Sequence, residues 1–371
     1  MPVSMERWGA GVWAAVGIRF GLLAMAVGST IWGTWTPQNP GIDTNLRGVS
    51  AAYSLDSAGT RSPVLWASGS NGVILRSMSM VHGTNWTQLT VTGGEALDFR
   101  GIRAFDARTA YVMSIGGGGL SRIYKTTDGG VNWKLQYQDN RPGFFLDALA
   151  CASEKDCFAL SDPVEGKFLL LRNLDGEHWT ELPRDKMPAA LANEGAFAAS
   201  GTSIALCGSD DIYIGTGGPA ARVFHSADRG RTWIVAETPI LSGDASLGIF
   251  SVTCTGSAVI VVGGDYKNVN RSDRVAAYSL DAGKTWKLAT QQPNGFRSGL
   301  ALVAGRLLVA VGPNGEDVSV DLGVTWTHSG SLNLNAITAL DNQTVWAVGA
   351  GSATARFDPL LSAQRQTSHR R

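Results

Sequence analysis

Lys125-Thr-Thr-Asp-Gly-Gly-Val-Asn-Trp133 recurs along the chain, and its recurrence decides the fold. Related units stand at Arg172-Asn-Leu-Asp-Gly-Glu-His-Trp179, His225-Ser-Ala-Asp-Arg-Gly-Arg-Thr-Trp233, Tyr278-Ser-Leu-Asp-Ala-Gly-Lys-Thr-Trp286 and Val318-Ser-Val-Asp-Leu-Gly-Val-Thr-Trp326, with a worn copy ending at Thr84-Asn-Trp86. Successive tryptophans from Trp86 to Trp326 lie 47, 46, 54, 53 and 40 residues apart, a period that suits one four-stranded propeller blade per unit. In each unit the Asp carboxylate can accept backbone N–H groups of a turn, the Gly supplies a positive φ, and the Trp ring packs between sheets. Asp128, Asp228, Asp281 and Asp321 are therefore read as turn formers in a hairpin clasp and not as catalysts.

Upstream of each clasp the same strands repeat. Phe99–Phe105, Thr109–Ser114, Ser121–Thr126 and Asn132–Tyr137 carry the β pattern in one unit, and comparable units cover about Leu46–Leu89, Phe144–Leu182, Gly195–Ala236, Ile249–Leu288 and Phe296–Thr327. A seventh, Asn335–Phe357, stops after three strands. Ile31-Trp-Gly-Thr-Trp-Thr36 resembles the tail of the clasp and is the candidate for the missing strand. Such closure removes the exposed sheet edges of an open array. The expected architecture is all-β: a seven-bladed β-propeller over residues 31–358, closed by an N-terminal strand and followed by a disordered tail, 359–371.

Composition narrows the function classes. Lys plus Arg and Asp plus Glu both number 31, so no broad electrostatic field favours nucleic acid. Residues 1–30 hold Arg7, Arg19 and the apolar run Phe20–Gly28, with Ala24 and Ala26 resembling a peptidase site, and are read as a signal peptide or an N-terminal membrane anchor. The expected location is periplasmic or secreted, for a monomer with membrane association only through that N-terminus. Cys151 and Cys157 bracket a short turn between facing strands, which suits a disulfide, whereas Cys207 and Cys254 lie in apolar strands and read as buried thiols. No His or Cys cluster has metal-ligand spacing, and neither a metal nor a cofactor is expected. Gly215-Thr-Gly-Gly-Pro-Ala220 precedes a strand where a dinucleotide fold would need a helix.

The clasp resembles the Asp-box, or BNR repeat, of sialidases and other propellers. Together with the Phe-Arg-Gly-Ile strands it resembles the photosystem II stability and assembly factor family and its bacterial relatives over about Leu46–Phe357. Leu160–Phe168, Asn193–Thr202 and Val262–Tyr266 are similar to a bacterial branch. The resemblance implies a propeller whose arginine-lined surface binds a protein partner.

Arg47 in Leu-Arg-Gly-Val, Arg100 in Phe-Arg-Gly-Ile and Arg297 in Phe-Arg-Ser-Gly align at the start of innermost strands, where three guanidiniums would suit a carboxylate, phosphate or acidic peptide. Asp147, Asp162, Glu194 and Asp265 fall near inner strands and outside the clasps, as candidates for acid and base or nucleophile. They could equally neutralise the arginines in a structural network. Two functions follow: a binding or assembly protein that holds an acidic protein segment or anionic carbohydrate at the channel mouth, or a sialidase-like glycoside hydrolase. The first is preferred because no complete catalytic constellation is traceable and sialidases have six blades.

Overall fold

The computed structural model describes residues 32–78, 85–341 and 345–359. The expected signal peptide or anchor at 1–30 and the tail from 360 onward lie outside them. Seven sheets form seven blades whose strands run outward in chain order, save that the outermost strand of blade seven comes from the other end of the chain and the pair Gly217–Gly218 adds to the inner edge of blade five. Their innermost strands are Leu46–Leu55, Asp98–Ala104, Leu146–Ser153, Ile204–Cys207, Asp244–Thr255, Gly299–Ala304 and Leu334–Ala339, for blades one to seven. Gly33–Gln38 supplies the outermost strand of blade seven and pairs antiparallel with Thr354–Pro359, Trp35 opposite Phe357. The ring is thus closed by joining the two ends of the described chain.

Among the described residues seven apolar clusters fill the gaps between neighbouring blades, and an eighth gathers Ala199, Phe250 and Phe296. Trp133, Trp179, Trp233, Trp286 and Trp326 each pack into the gap between their own blade and the one before it. Trp86 does the same between blades one and seven, and Trp35 between blades seven and six, 5.0 Å from the Phe357 ring. The N-terminal strand therefore brings the clasp tryptophan that the last repeat lacks.

In blade four, Ser226 Oγ donates to Asp228 Oδ1 at 2.8 Å and accepts the Gly230 N–H at 2.7 Å. Asp228 in turn accepts from the Thr232 N–H at 2.8 Å and the Thr232 hydroxyl at 2.6 Å. The same geometry returns at Asp281 and Asp321, and at Asp128 with Thr126 and Asn132 in the partner roles. The Thr232 hydroxyl and these backbone donors hold the Asp228 carboxyl down at about 2. Gly230 has φ 85°, and the residue before it is also left-handed: Arg229, Ala282 and Leu322 lie at φ 60° to 64°. A Cβ on Gly230 would stand 2.6 Å from Leu182 of blade three, so the position needs glycine for space as well as for φ.

Two cystines tie inner strands. Cys151 and Cys157 occupy paired positions on the first two strands of blade three, with Cα atoms 4.0 Å apart. Cys207 and Cys254, read from sequence as buried thiols, are instead joined to each other, Cα to Cα 6.2 Å, linking the innermost strands of blades four and five. Ring order places these two neighbouring strand ends together although 47 residues separate them.

Removing the chain up to Gln38 exposes the outer edge of blade seven and empties the Trp35 site. The unfolding midpoint should fall by well over the roughly 2–8 °C that about 1 kcal/mol produces across domains of these sizes. A thermal melt of the truncated protein with an unchanged midpoint would refute closure by this strand.

Candidate binding pocket at the channel mouth

In five innermost strands the register skips one residue, near the strand start in four and midway along the longer strand of blade five, and the skipped residues are Arg47, Arg100, Asp147, Phe250 and Asn335. A bulge leaves one residue unpaired and re-aims its side chain. All five line a single cavity of about 610 Å³ at one mouth of the channel. Asp162, skipped between Ser161 and Pro163 on the second strand of blade three, joins them. The pocket is thus assembled from equivalent irregularities in different blades.

Its floor is a segment rather than a strand. The reading of Gly195 as the start of a blade strand is corrected: the innermost strand of blade four begins at Ile204, and residues 196–202 cross the channel. Ala196 N–H donates to Asp162 Oδ1 at 2.9 Å, Ala198 O accepts from Arg100 Nη1 at 2.9 Å, and Ser200 Oγ donates to Ser298 O at 2.7 Å. Phe197 stacks on Phe250 with ring centroids 3.8 Å apart, and Phe250 meets Phe296 edge-on at 4.6 Å. Beyond this plug, Arg103, Ala150, Thr202 and Thr338 line a separate cavity of about 230 Å³.

Two of the three aligned arginines meet here. Arg100 Nε is 2.8 Å from Asp98 Oδ2. Arg47 Nε is buried without a hydrogen-bond partner, and burial, reinforced by the neighbouring Arg100 cation, lowers its pKa to about 10. Arg297 departs from the alignment. It is fully buried, donating to Asp317 Oδ2 at 2.6 Å and Asn314 Oδ1 at 2.6 Å, while its neighbour Ser298 lines the cavity. A shift of one residue in a strand sends the side chain to the opposite face, and the Phe-Arg-Ser-Gly of blade six is offset by one from Phe-Arg-Gly.

The carboxylates divide in the same way. Asp147 and Asp162 line the cavity and are hydrogen-bonded to each other. Burial, with the Asp162 charge beside it, pushes Asp147 well above the usual carboxylate range, and burial raises Asp162 to about 6. Glu194 is buried in a double contact with Arg222 and accepts from the Thr216 hydroxyl at 2.7 Å, a structural role. Asp265 accepts the Lys267 N–H at 2.9 Å in a turn and does not line the cavity. The unforeseen contributors are Phe197, Phe250, Phe296 and Tyr266, which share no sequence position that marks them: one lies in the floor segment, one within a strand, one before a strand and one after a strand. Among the described residues no group of three or more His, Cys, Asp or Glu side chains could hold a metal ion.

No protein-family model and no curated protein matches the sequence. Among solved structures, "YCF48 bound to D1 peptide" superposes with a TM-score of 0.61 at 14% identity, covering 87% of this chain and 96% of the other. YCF48 from Cyanidioschyzon merolae gives 0.58 at 14% identity, covering 87% and 98%. The chain therefore shares the propeller fold of YCF48.

Asp162 keeps its proton in the folded protein to a higher pH than in the unfolded chain. Its contribution to stability is complete below the ordinary carboxylate pKa and is lost as the pH rises through about 6. Asp162→Asn should remove that dependence, so that between pH 5 and pH 8 the wild-type protein loses about 1.4 kcal/mol relative to the variant. Parallel melting curves at the two pH values would contradict the assignment.

Proposed function

We propose that this propeller is a binding or assembly-type protein that holds a peptide segment by an anionic group at the plugged channel mouth. The observation that carries the reading is Arg47, whose buried Nε has no partner within the protein and which stands beside Arg100 on an open cavity. A buried donor left unmade is costly, and a carboxylate oxygen is the acceptor that suits a guanidinium best. The aromatic floor gives apolar side chains of a peptide a surface to cover. Likeness of fold to YCF48, solved with a D1 peptide bound, and the sequence resemblance to the assembly factors support a peptide over a sugar.

Sugar hydrolysis by two carboxylates is less well supported. The two that line the cavity are hydrogen-bonded to each other, whereas the reaction needs them about 5–9.5 Å apart with the sugar between. The two cystines favour a periplasmic or secreted location.

Binding of a short acidic peptide with a free C-terminus, measured by calorimetry, should weaken by about 1.5–3 kcal/mol in Arg47→Ala and in Arg100→Ala, with little change in melting for Arg47→Ala. Unchanged affinity in both variants would overturn the proposal. Arg297→Ala should do the reverse: it strands Asp317 as an unpaired buried charge and destabilises the fold by about 3–5 kcal/mol.

A further inference from the structure

The cavity has a second polar edge, which an anion-binding reading leaves unused. Asp147 is 1% exposed, and its Oδ2 has no hydrogen-bond partner within the protein. A buried acceptor of this kind calls for a donor from elsewhere. Asp162 beside it is held in place by the Ala196 N–H. Ala198, two residues further along the same segment, is held by Arg100. Two residues of chain span at most about 7 Å, so the guanidinium edge and the carboxyl edge flank one short stretch of floor.

Charge in the cavity is nearly balanced. Arg47 and Arg100 together, with Asp98 paired to Arg100, leave one positive charge on one side. The carboxyl pair stands on the next blade, with Phe197 of the floor segment between the residues that Asp162 and Arg100 hold. An anion alone would answer only half of this arrangement. A ligand with one charge of each sign, joined by an apolar spacer, answers both halves.

We propose that Asp147 and Asp162 form a subsite for an ammonium group, and that the cavity takes a peptide end whose last residue is lysine. The terminal carboxylate meets Arg47 and Arg100, the four methylenes lie over Phe197 and Phe250, and Nζ donates to the carboxyl pair. An ammonium has three N–H donors, enough to supply Asp147 Oδ2 and still reach Asp162. A neighbouring cation also favours the ionised carboxylate, so binding draws a proton off the pair. The inference rests on the peptide reading above, because it uses the same arginines for the carboxylate.

Three peptides separate the two claims by calorimetry: acetyl-Ala-Phe-Lys with a free carboxylate, the same peptide with norleucine in place of lysine, and the lysine peptide as its C-terminal amide. Lysine acid should bind at least tenfold more tightly than norleucine acid, and Asp162→Asn, with its folding checked by melting, should abolish that advantage. Equal affinity of the two acids for the unmodified protein overturns the ammonium subsite and leaves the anion reading standing. Failure of norleucine acid to bind overturns the anion reading instead. In that case binding of the amide, lost in Asp162→Asn, upholds the subsite, and no binding of the amide overturns it as well.

Discussion

The contact on which the molecule depends is the one between a clasp glycine and the blade before it. Gly130, Gly230 and Gly323 lie so close to Leu89, Leu182 and Ile260 of the preceding blades that a single carbon added at any of them would stand within 2.8 Å of its neighbour. The Ser or Thr hydroxyl and the Asp carboxylate fix this turn, and the turn fixes where the following tryptophan enters the gap between blades. Repeated around the ring, that spacing sets the distance between innermost strands. It thereby sets the width of the channel into which the bulged residues project.

Much of this was legible because it is local. Serine or threonine, aspartate, glycine and tryptophan at fixed offsets describe one turn and one interface, and Gly-Thr-Trp35 repeats the end of the pattern with enough fidelity to place the closing strand. What escaped reading depends on offsets of a single residue or on neighbours around the ring. Arg297 carries the right residue type one position too early, so that it pairs with Asp317 inside the blade. Residues 195–202 are glycine, alanine and serine with one phenylalanine and one threonine, a composition with no alternation to mark it as other than strand. Cys207 and Cys254 look unrelated along the chain and are brought together only because blades four and five are adjacent.

The same side chains serve opposite ends according to what surrounds them. Asp228, at the solvent edge of its clasp, is saturated with donors and held acidic. Asp147 has the same carboxyl with little water and few donors, and is driven toward the protonated form. Glu194 with Arg222, and Arg297 with Asp317, are paired in the protein interior and do not line the cavity. Residue type in a repeat therefore says little about binding, whereas an unpaired atom facing a cavity says a great deal.

The plug at residues 196–202 turns a tunnel into a cup. Hydrogen bonds from Arg100, to Asp162 and to Ser298 pin it across the axis, and the space below it is a separate cavity. A polymer cannot be drawn through such a site, and nothing bound there can leave by the far side. Entry and exit share one opening, so an occupant must withdraw before the next can enter, and a long chain can engage only by offering an end or a tight bend. Whatever occupies the cup is therefore admitted and released one at a time.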